Sequence, residues 1–432
     1  MIKSKILMGI SILAVLFGGC IHFPGDMVAE ESGSSADQTA GTQASQSSSA
    51  SQAARTVTAI FSGESLSEEK LEEIQAKYAE LEPLCQSIYA SAEKKPLSDW
   101  DTRKAVSREA IDEMEDMIKK AGYPVLNSSG DYPAFLERSE EFYAFWNSVQ
   151  NGVDAETSYW EVSDSGGLNY YEFQYTNGKP YSVSAFAQWG TDGQLKIETA
   201  GKRNVLNWDM TYRGDFYYQD VPTDRHWEAS ILLRLKPVDK TLWELNQKYI
   251  KPIGYYNVNA FLCDWDKTEY GNLSFNDLFE SLYKMKNDDY VYTDRFEKDQ
   301  YPYFHYCVPA ELFENTILPY FEIPLDEFRE RALYNPEKDI YPWQDIDISN
   351  VSYFPNVIPE VIEYVENTDN SITLKVQVMC PDMQTDTLFT HEVTVMPGEG
   401  DSFQYLSNKV TYQGEQELPS SQPRIPAQRT DI

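Results

Sequence analysis

Residues 171–187, which read YEFQYTNGKPYSVSAFA, decide the fold class. Apolar side chains occupy every second position on both sides of Asn177-Gly178, and this period of two is typical of β-strands. A three-residue loop ending at Lys179 would pair Tyr175 with Tyr181 and keep the apolar faces of both strands together. We therefore expect this bulged loop in place of the two-residue type I′ turn that Asn-Gly usually makes.

The alternation continues beyond this hairpin. Thr191-Asp192-Gly193 predicts a second loop that sets Trp189 opposite Leu195, and further strand-like runs follow as far as residue 236. We therefore interpret residues 157–236 as one antiparallel meander.

Three helical patterns precede the meander. Apolar residues recur at steps of three and four from Leu71, with Ser65 as the candidate N-cap and Pro83 expected to kink or restart the helix. Ser107 is the expected cap of a second helix, and Asp131 marks the start of a third.

The sequence after the meander predicts helices followed by strands. Helical patterns cover residues 239–250, 275–285, 309–321 and 325–332, and strand patterns cover 361–365, 372–378, 388–395 and 403–410. No strand–helix–strand alternation is present, which disfavours the Rossmann, TIM-barrel and periplasmic-binding architectures. The predicted fold class is α+β, with N-terminal helices, an antiparallel β-meander, central helices and a C-terminal antiparallel β-sheet.

Composition and pattern divide the chain into six segments. They are a signal peptide at 1–19, a lipidated cysteine with a flexible linker at 20–56, a helical segment at 57–156, a β-meander domain with a closing helix at 157–253, an α+β C-terminal domain at 254–412 and a disordered tail at 413–432. The linker is assigned because residues 32–54 are Ser, Gly, Ala, Gln or Thr apart from Asp37, so they have no large apolar side chain to bury.

The amino terminus has the pattern of an export signal. Two lysines precede an apolar run at 6–17, which is too short for a comfortable membrane span. Gly18-Gly19 then places two small residues before Cys20, as a lipoprotein pathway needs in order to attach diacylglycerol to the thiol and cut the chain there. The segment resembles a bacterial lipobox, although Phe17 stands where leucine is usual. We predict a lipid anchor at Cys20, with an ordinary signal peptide or an uncleaved anchor as the alternatives.

The balance of charge limits the partners. The chain has 36 Lys and Arg against 69 Asp and Glu, so its net charge is 36 − 69 = −33. Nucleic acid and anionic lipid attract clustered Lys and Arg, and the excess of acid therefore disfavours direct contact with either. We expect attachment to the membrane through the lipid anchor, and we leave open a cell-envelope glycan or protein as a partner.

Four segments resemble a family of uncharacterised lipoproteins from Gram-positive bacteria. They read LNQKYIKPIGY at 245–255, LSFNDLF at 273–279, YPW at 341–343 and SFQYLSN at 402–408. The similarity extends over most of the mature chain and includes no catalytic signature. The resemblance implies a surface lipoprotein, and it assigns neither an activity nor a site residue.

Asp264-Trp265-Asp266 is the candidate binding site. An indole ring can stack on a sugar while the neighbouring carboxylates accept hydrogen bonds from its hydroxyl groups. Acidic residues are frequent in this chain, with 69 in 432 positions, so a solvated turn is the competing interpretation. The same frequency means that spacing alone identifies no catalytic pair of carboxylates.

The four cysteines after Cys20 are expected to be buried small hydrophobic side chains: Cys85, Cys263, Cys307 and Cys380. Two alternatives stay open. Export would permit a Cys263–Cys307 disulfide, and His305 with Cys307 and Cys263 would offer metal ligands, although their spacing fits no standard zinc pattern. We expect no metal and no cofactor.

These observations favour a membrane-anchored extracytoplasmic lipoprotein that acts as a binding or interaction module, without a catalytic residue that sequence can identify. One alternative is a cell-envelope hydrolase that acts on glycan or peptide through Asp and Glu. It would require a cleft with two carboxyl groups of raised pKa and a flanking Trp. The other alternative is a solute-binding lipoprotein, which would require two α/β lobes around a hinge.

Overall fold

The protein is described here by a computed structural model. It describes residues 65–98, 101–128, 133–211, 213–221, 230–300, 304–346, 357–380, 383, 385–414 and 423–425. The predicted signal peptide, Cys20 and the predicted linker lie outside the described residues.

In the first half of the fold, the described residues form three α-helices and ten strands. They are α1 (Glu68–Ser91), β1 (Lys94–Ser98), β2 (Asp101–Val106), α2 (Arg108–Lys120), β3 (Val125–Asn127), β4 (Phe135–Glu137), α3 (Glu140–Gln150), β5 (Ala155–Val162), β6 (Leu168–Thr176), β7 (Lys179–Trp189), β8 (Leu195–Met210), β9 (Phe216–Asp220) and β10 (Ser230–Leu233). Strands β3 to β10 form one eight-stranded sheet in the order β10-β9-β8-β7-β6-β5-β3-β4, which confirms the predicted meander. The pair β3–β5 is parallel, and the other pairs of this sheet are antiparallel.

The eight-stranded sheet is covered on both faces. On one face α1 and α2 pack on a cluster that includes Trp160, Tyr170 and Ala185. On the other face α3 packs through Phe142, which with Phe173 belongs to a second apolar cluster. Strands β5 and β6 therefore contribute apolar side chains to both faces, Trp160 and Tyr170 to the first and Tyr159 and Phe173 to the second.

The predicted register of the first hairpin is wrong. Thr176 pairs with Lys179 and Tyr175 with Pro180, so the loop consists of Asn177 and Gly178 alone. Both have positive φ, 52° and 75°, as a type I′ turn requires. The prediction assumed one apolar face per strand, and that assumption fails because the sheet is covered on both sides. The second hairpin pairs Trp189 with Leu195, as predicted.

The helices before the meander follow the sequence with three differences. Helix α1 is capped by Ser67, whose side chain accepts from the Lys70 amide, and not by Ser65. It continues through Pro83 without a restart. The third helix begins at Glu140, because the segment around Phe135 forms β4 instead. Ser107 caps α2, as predicted.

In the second half, the described residues form four α-helices and eight strands. They are α4 (Lys240–Leu245) with a π-helical turn (Asn246–Ile250), β11 (Trp265–Asp266), α5 (Phe275–Asn287), β12 (Glu297–Asp299), β13 (His305–Pro309), α6 (Ala310–Ile317), α7 (Leu325–Arg331), β14 (Ile340–Trp343), β15 (Ile358–Glu366), β16 (Ile372–Cys380), β17 (Thr385–Pro397) and β18 (Phe403–Tyr412). The C-terminal strands form the antiparallel sheet β11-β18-β17-β16-β15, and β12-β13-β14 form a smaller sheet that the sequence did not predict. The α+β class is confirmed.

An ionic cluster joins the two halves. The carboxylate of Glu360 on β15 pairs with Arg234, which follows β10, and with Arg213 from the loop before β9. The carboxylate of Asp215 lies 3.6 Å from the Arg234 guanidinium. Burial lowers the pKa of Arg234 to about 10, and Asp215 opposes that shift. The meander is therefore attached to the C-terminal sheet through a buried guanidinium.

Residues 423–425 lie in the tail predicted to be disordered, yet the structure places two of them in the interior. Arg424 and Ile425 are buried, and Arg424 contacts Asp277 in the first turn of α5. The prediction of a tail without fixed contacts is therefore wrong at this point.

Among the described residues, no helix combines the length and the apolarity that a membrane crossing requires.

Candidate functional site

The predicted site Asp264-Trp265-Asp266 is a structural turn. The Trp265 side chain is 4% exposed, packs on Tyr270 and donates from Nε1 to the carbonyl oxygen of Ala260, 2.7 Å away. No face of this ring is open to a sugar, so its predicted role as a stacking platform is wrong.

The two carboxylates of that motif hold the backbone. Asp264 Oδ1 accepts from the Val410 amide of β18 at 2.8 Å. Asp266 Oδ1 accepts from the amide and the hydroxyl of Thr268, and these bonds lower its pKa. Asp264 therefore fixes this segment beside β18, and Asp266 closes the turn that follows β11, in agreement with the competing interpretation of a turn.

A histidine network lies deep in the C-terminal sheet. Asn408 Nδ2 donates to the carbonyl of Cys263, which orients the amide so that Oδ1 accepts from His391 Nδ1 at 2.7 Å. His391 Nε2 is left to accept from the hydroxyl of Tyr255, at 2.6 Å. His391 is fully buried, and burial lowers its pKa to about 3 although Asn408 opposes the shift. This neutral, enclosed imidazole joins three segments and has no access to a substrate.

Buried carboxyl groups with raised pKa are the signal that a hydrolase would require. Burial raises the pKa of Glu115 to about 7, against the hydrogen bonds from Ser128 and the charge of Arg108. Burial also raises the pKa of Glu161, which accepts from Asn169 and Tyr171. Protein donors enclose both of these carboxyl groups, so neither provides the open pair of acids that a glycosidase needs.

One pair of carboxyl groups does converge, on α5. Burial raises the pKa of both Asp277 and Glu280, one helical turn apart, and the charge of Arg424 opposes the shift at each. The Arg424 guanidinium lies 3.3 Å from a carboxylate oxygen of each acid, and Arg424 also donates to the carbonyl oxygens of Asp277 and Gln344. Because this guanidinium occupies the space between the acids, the pair holds the C-terminal segment and is not a catalytic dyad.

Two exposed tyrosines follow α5. We call residues 288–295 the tyrosine loop, because Tyr290 is 58% exposed and Tyr292 is 47% exposed. A cation supports each ring: Lys284 Nζ lies 4.3 Å from the centroid of Tyr290, and the Arg295 guanidinium lies 4.8 Å from that of Tyr292. Cation–π contacts of this kind orient a ring while leaving its other face available.

A group of potential metal ligands lies on the small sheet that follows the tyrosine loop. The ligand atoms of Asp299, His305 and Cys307 lie within 4.8 Å of one another. Asp299 also forms an ion pair with Lys338, with Nζ 2.6 Å from Oδ2. Cys263 is not in this group, and the four described cysteines are free thiols, so the Cys263–Cys307 disulfide that the sequence left open as an alternative is not formed. Cys85, Cys307 and Cys380 are buried, as expected, whereas Cys263 is only partly buried.

Sequence reasoning missed these features for identifiable reasons. The tyrosine loop could have been found from its sequence, DDYVYTDR. Charged residues, which are usually exposed, surround its two tyrosines directly after a predicted helix. The Arg424 contact carries no such signal, since it joins positions 147 residues apart. The grouping of Asp299 with His305 depends on the β12–β13 pairing, and the sequence did not predict these strands.

Comparison with known proteins places the chain in one family. The model of a family of unknown function, DUF6070, matches residues 71–424, and the chain belongs to this family. The match includes the tyrosine loop and ends at Arg424. No curated protein and no solved structure matched the chain.

Proposed function

We propose that this chain is an extracytoplasmic lipoprotein, anchored through Cys20, whose tyrosine loop binds uncharged cell-envelope glycan. The observation that carries the binding role is the exposure of Tyr290 and Tyr292, two positions apart on one loop, with a cation–π contact at each ring. Tyrosine combines a large apolar ring with a hydroxyl group, and it is enriched in recognition surfaces for that reason.

The charge of the surroundings supports glycan over other partners. Asp288, Asp289 and Asp294 flank the two rings and can accept hydrogen bonds from sugar hydroxyl groups. The net charge of −33 repels polyanions, so an uncharged polymer fits the chain better than nucleic acid or a phosphate-rich one. Aromatic rings stacked on sugars with acids at their edges form the usual arrangement of such a surface.

The anchor is supported by the sequence at the amino terminus. Cys20 follows an apolar run and two glycines, and 45 positions separate it from the first described residue, Ser65. A diacylglycerol supplies two acyl chains, which is the number that a stable anchor needs. A chain with this net charge is repelled by anionic lipid and would extend away from the membrane on its predicted linker.

Replacing Cys20 by Ala is expected to move the protein from the membrane fraction to the medium. The measurement is the distribution of the protein between membranes and culture supernatant, together with incorporation of labelled palmitate. Cys20→Ser tests the thiol itself, because serine keeps the size but not the sulfur. Membrane retention of both variants without label would contradict the proposed anchor.

Replacing Tyr290 and Tyr292 by Ala together is expected to lower the affinity for insoluble cell-wall glycan by about tenfold or more, since two stacked rings are lost. The measurement is cosedimentation over a range of glycan concentrations. Tyr256→Ala is the matched control, because Tyr256 is also 58% exposed but lies outside the loop. Equal loss in both variants, or none in either, would reject the loop as the binding surface. Release of soluble sugar by the parent would favour the hydrolase instead.

A further inference from the structure

We propose that Asp299, His305 and Cys307 form a binding site for a divalent transition-metal ion of the zinc class. This site is separate from the tyrosine loop, and the proposal does not depend on glycan binding or on the lipid anchor.

Strand pairing brings the ligands to one face of a hairpin. Asp299 on β12 pairs directly with His305 on β13, and Glu297 pairs with Cys307. Side chains two positions apart on a strand point to the same side, and directly paired residues share that side. The four side chains therefore project from the same face, while the opposite face places Tyr306 and Val308 in the hydrophobic core.

The donor set selects the class of ion. An imidazole nitrogen, a thiolate sulfur and a carboxylate oxygen suit zinc and its neighbours, whereas calcium and magnesium prefer oxygen alone. Glu297 is exposed and is the direct partner of Cys307, so it can supply a fourth ligand. Asp299 is partly exposed, which gives an ion a route to the two buried ligands.

The spacing requires only a small adjustment. A tetrahedral zinc ion with ordinary bond lengths holds its ligand atoms about 3.3–3.8 Å apart. The three ligand atoms lie within 4.8 Å of one another, so side-chain movements of about 1 Å would bring them to the separation that a bound ion requires. Rotation about side-chain bonds supplies this movement without a change in the strand register.

Lys338 supplies the competing charge. Its ammonium group pairs with Asp299, with Nζ 2.6 Å from Oδ2. It therefore neutralises the same carboxylate that the ion would bind. Removing the ammonium group should strengthen metal binding, which a merely structural ion pair would not predict.

The test measures zinc and cobalt binding to the full chain carrying Cys20→Ala, which removes the thiol at the predicted anchor. We expect one zinc per chain by competition with a chromophoric chelator, and a thiolate-to-cobalt charge-transfer band with Co²⁺. His305→Gln and Cys307→Ser should each lower the zinc affinity at least about tenfold. Lys338→Met should raise it several-fold. Cys263→Ser is the matched control and should leave the affinity unchanged.

Three results would overturn the proposal. They are the absence of saturable zinc binding in the parent chain, an unchanged affinity in both His305→Gln and Cys307→Ser, and a larger loss in Cys263→Ser than in Cys307→Ser. Circular dichroism checks that each variant folds. If Cys307→Ser does not fold, the cobalt spectrum of the parent and the affinity of His305→Gln decide the question.

Discussion

Arg424→Met is expected to lower the free energy of unfolding by about 3–5 kcal/mol, because it leaves the carboxylate of Asp277 buried without its cation. The Arg424 side chain is 3% exposed and that of Asp277 is 1% exposed, so water cannot replace the lost contact. Arg424 also donates to the carbonyl oxygens of Asp277 and Gln344, at 2.6 and 2.7 Å. Urea unfolding of the full chain measures the change.

Two variants separate this contact from the general effect of removing an arginine. Arg331→Met breaks an ion pair with Glu327 that is far more exposed, and it should cost less than about 1 kcal/mol. Asp277→Asn combined with Arg424→Met should recover part of the loss, because the uncompensated charge is gone. A loss below 1 kcal/mol for Arg424→Met alone would show that the contact does not hold the segment.

The contact also shows where sequence-based prediction of the fold fails. The meander and the C-terminal strands could be predicted because alternation and turn residues act over a few positions, as the pairing of Trp189 with Leu195 illustrates. The hairpin at Asn177-Gly178 was misregistered because α3 covers the second face of the sheet, and that packing is not a local property. The burial of Arg424 depends on α5, far away in sequence, and composition alone suggested disorder.

The candidate site was less predictable than the fold. Trp265 was chosen because tryptophan between two acids resembles a sugar platform, but exposure decides that role and the sequence does not report it. Tyr290 and Tyr292 have the exposure that Trp265 lacks. The chain has 30 tyrosines, and the sequence alone does not indicate which of them are exposed. The sequence left His305 and Cys307 open as metal ligands only as an alternative, with Cys263 as the further ligand, and the position of Asp299 beside them became evident only through strand pairing.

His391 should make the protein sensitive to acid. The pKa of its imidazole is about 3 in the folded chain, against 6.5 for an ordinary histidine, since burial disfavours the charged form. The folded pKa lies below the unfolded one, so the unfolded chain binds the proton more tightly. The stability that this group contributes is therefore complete above pH 6.5, and it is lost as the pH falls from 6.5 towards 3.

The expected loss from His391 between pH 7 and pH 4 is about 3 kcal/mol. Urea unfolding across this range should show a steeper decline for the parent than for His391→Gln, because glutamine keeps a neutral polar group and does not titrate. The other acids titrate in both proteins, so the difference between the two curves isolates the histidine. Parallel curves would contradict the assignment, as would an imidazole NMR signal of His391 that titrates near pH 6.5. The NMR measurement needs only the parent, and it also reports whether Nδ1 carries the proton that the orientation of Asn408 requires.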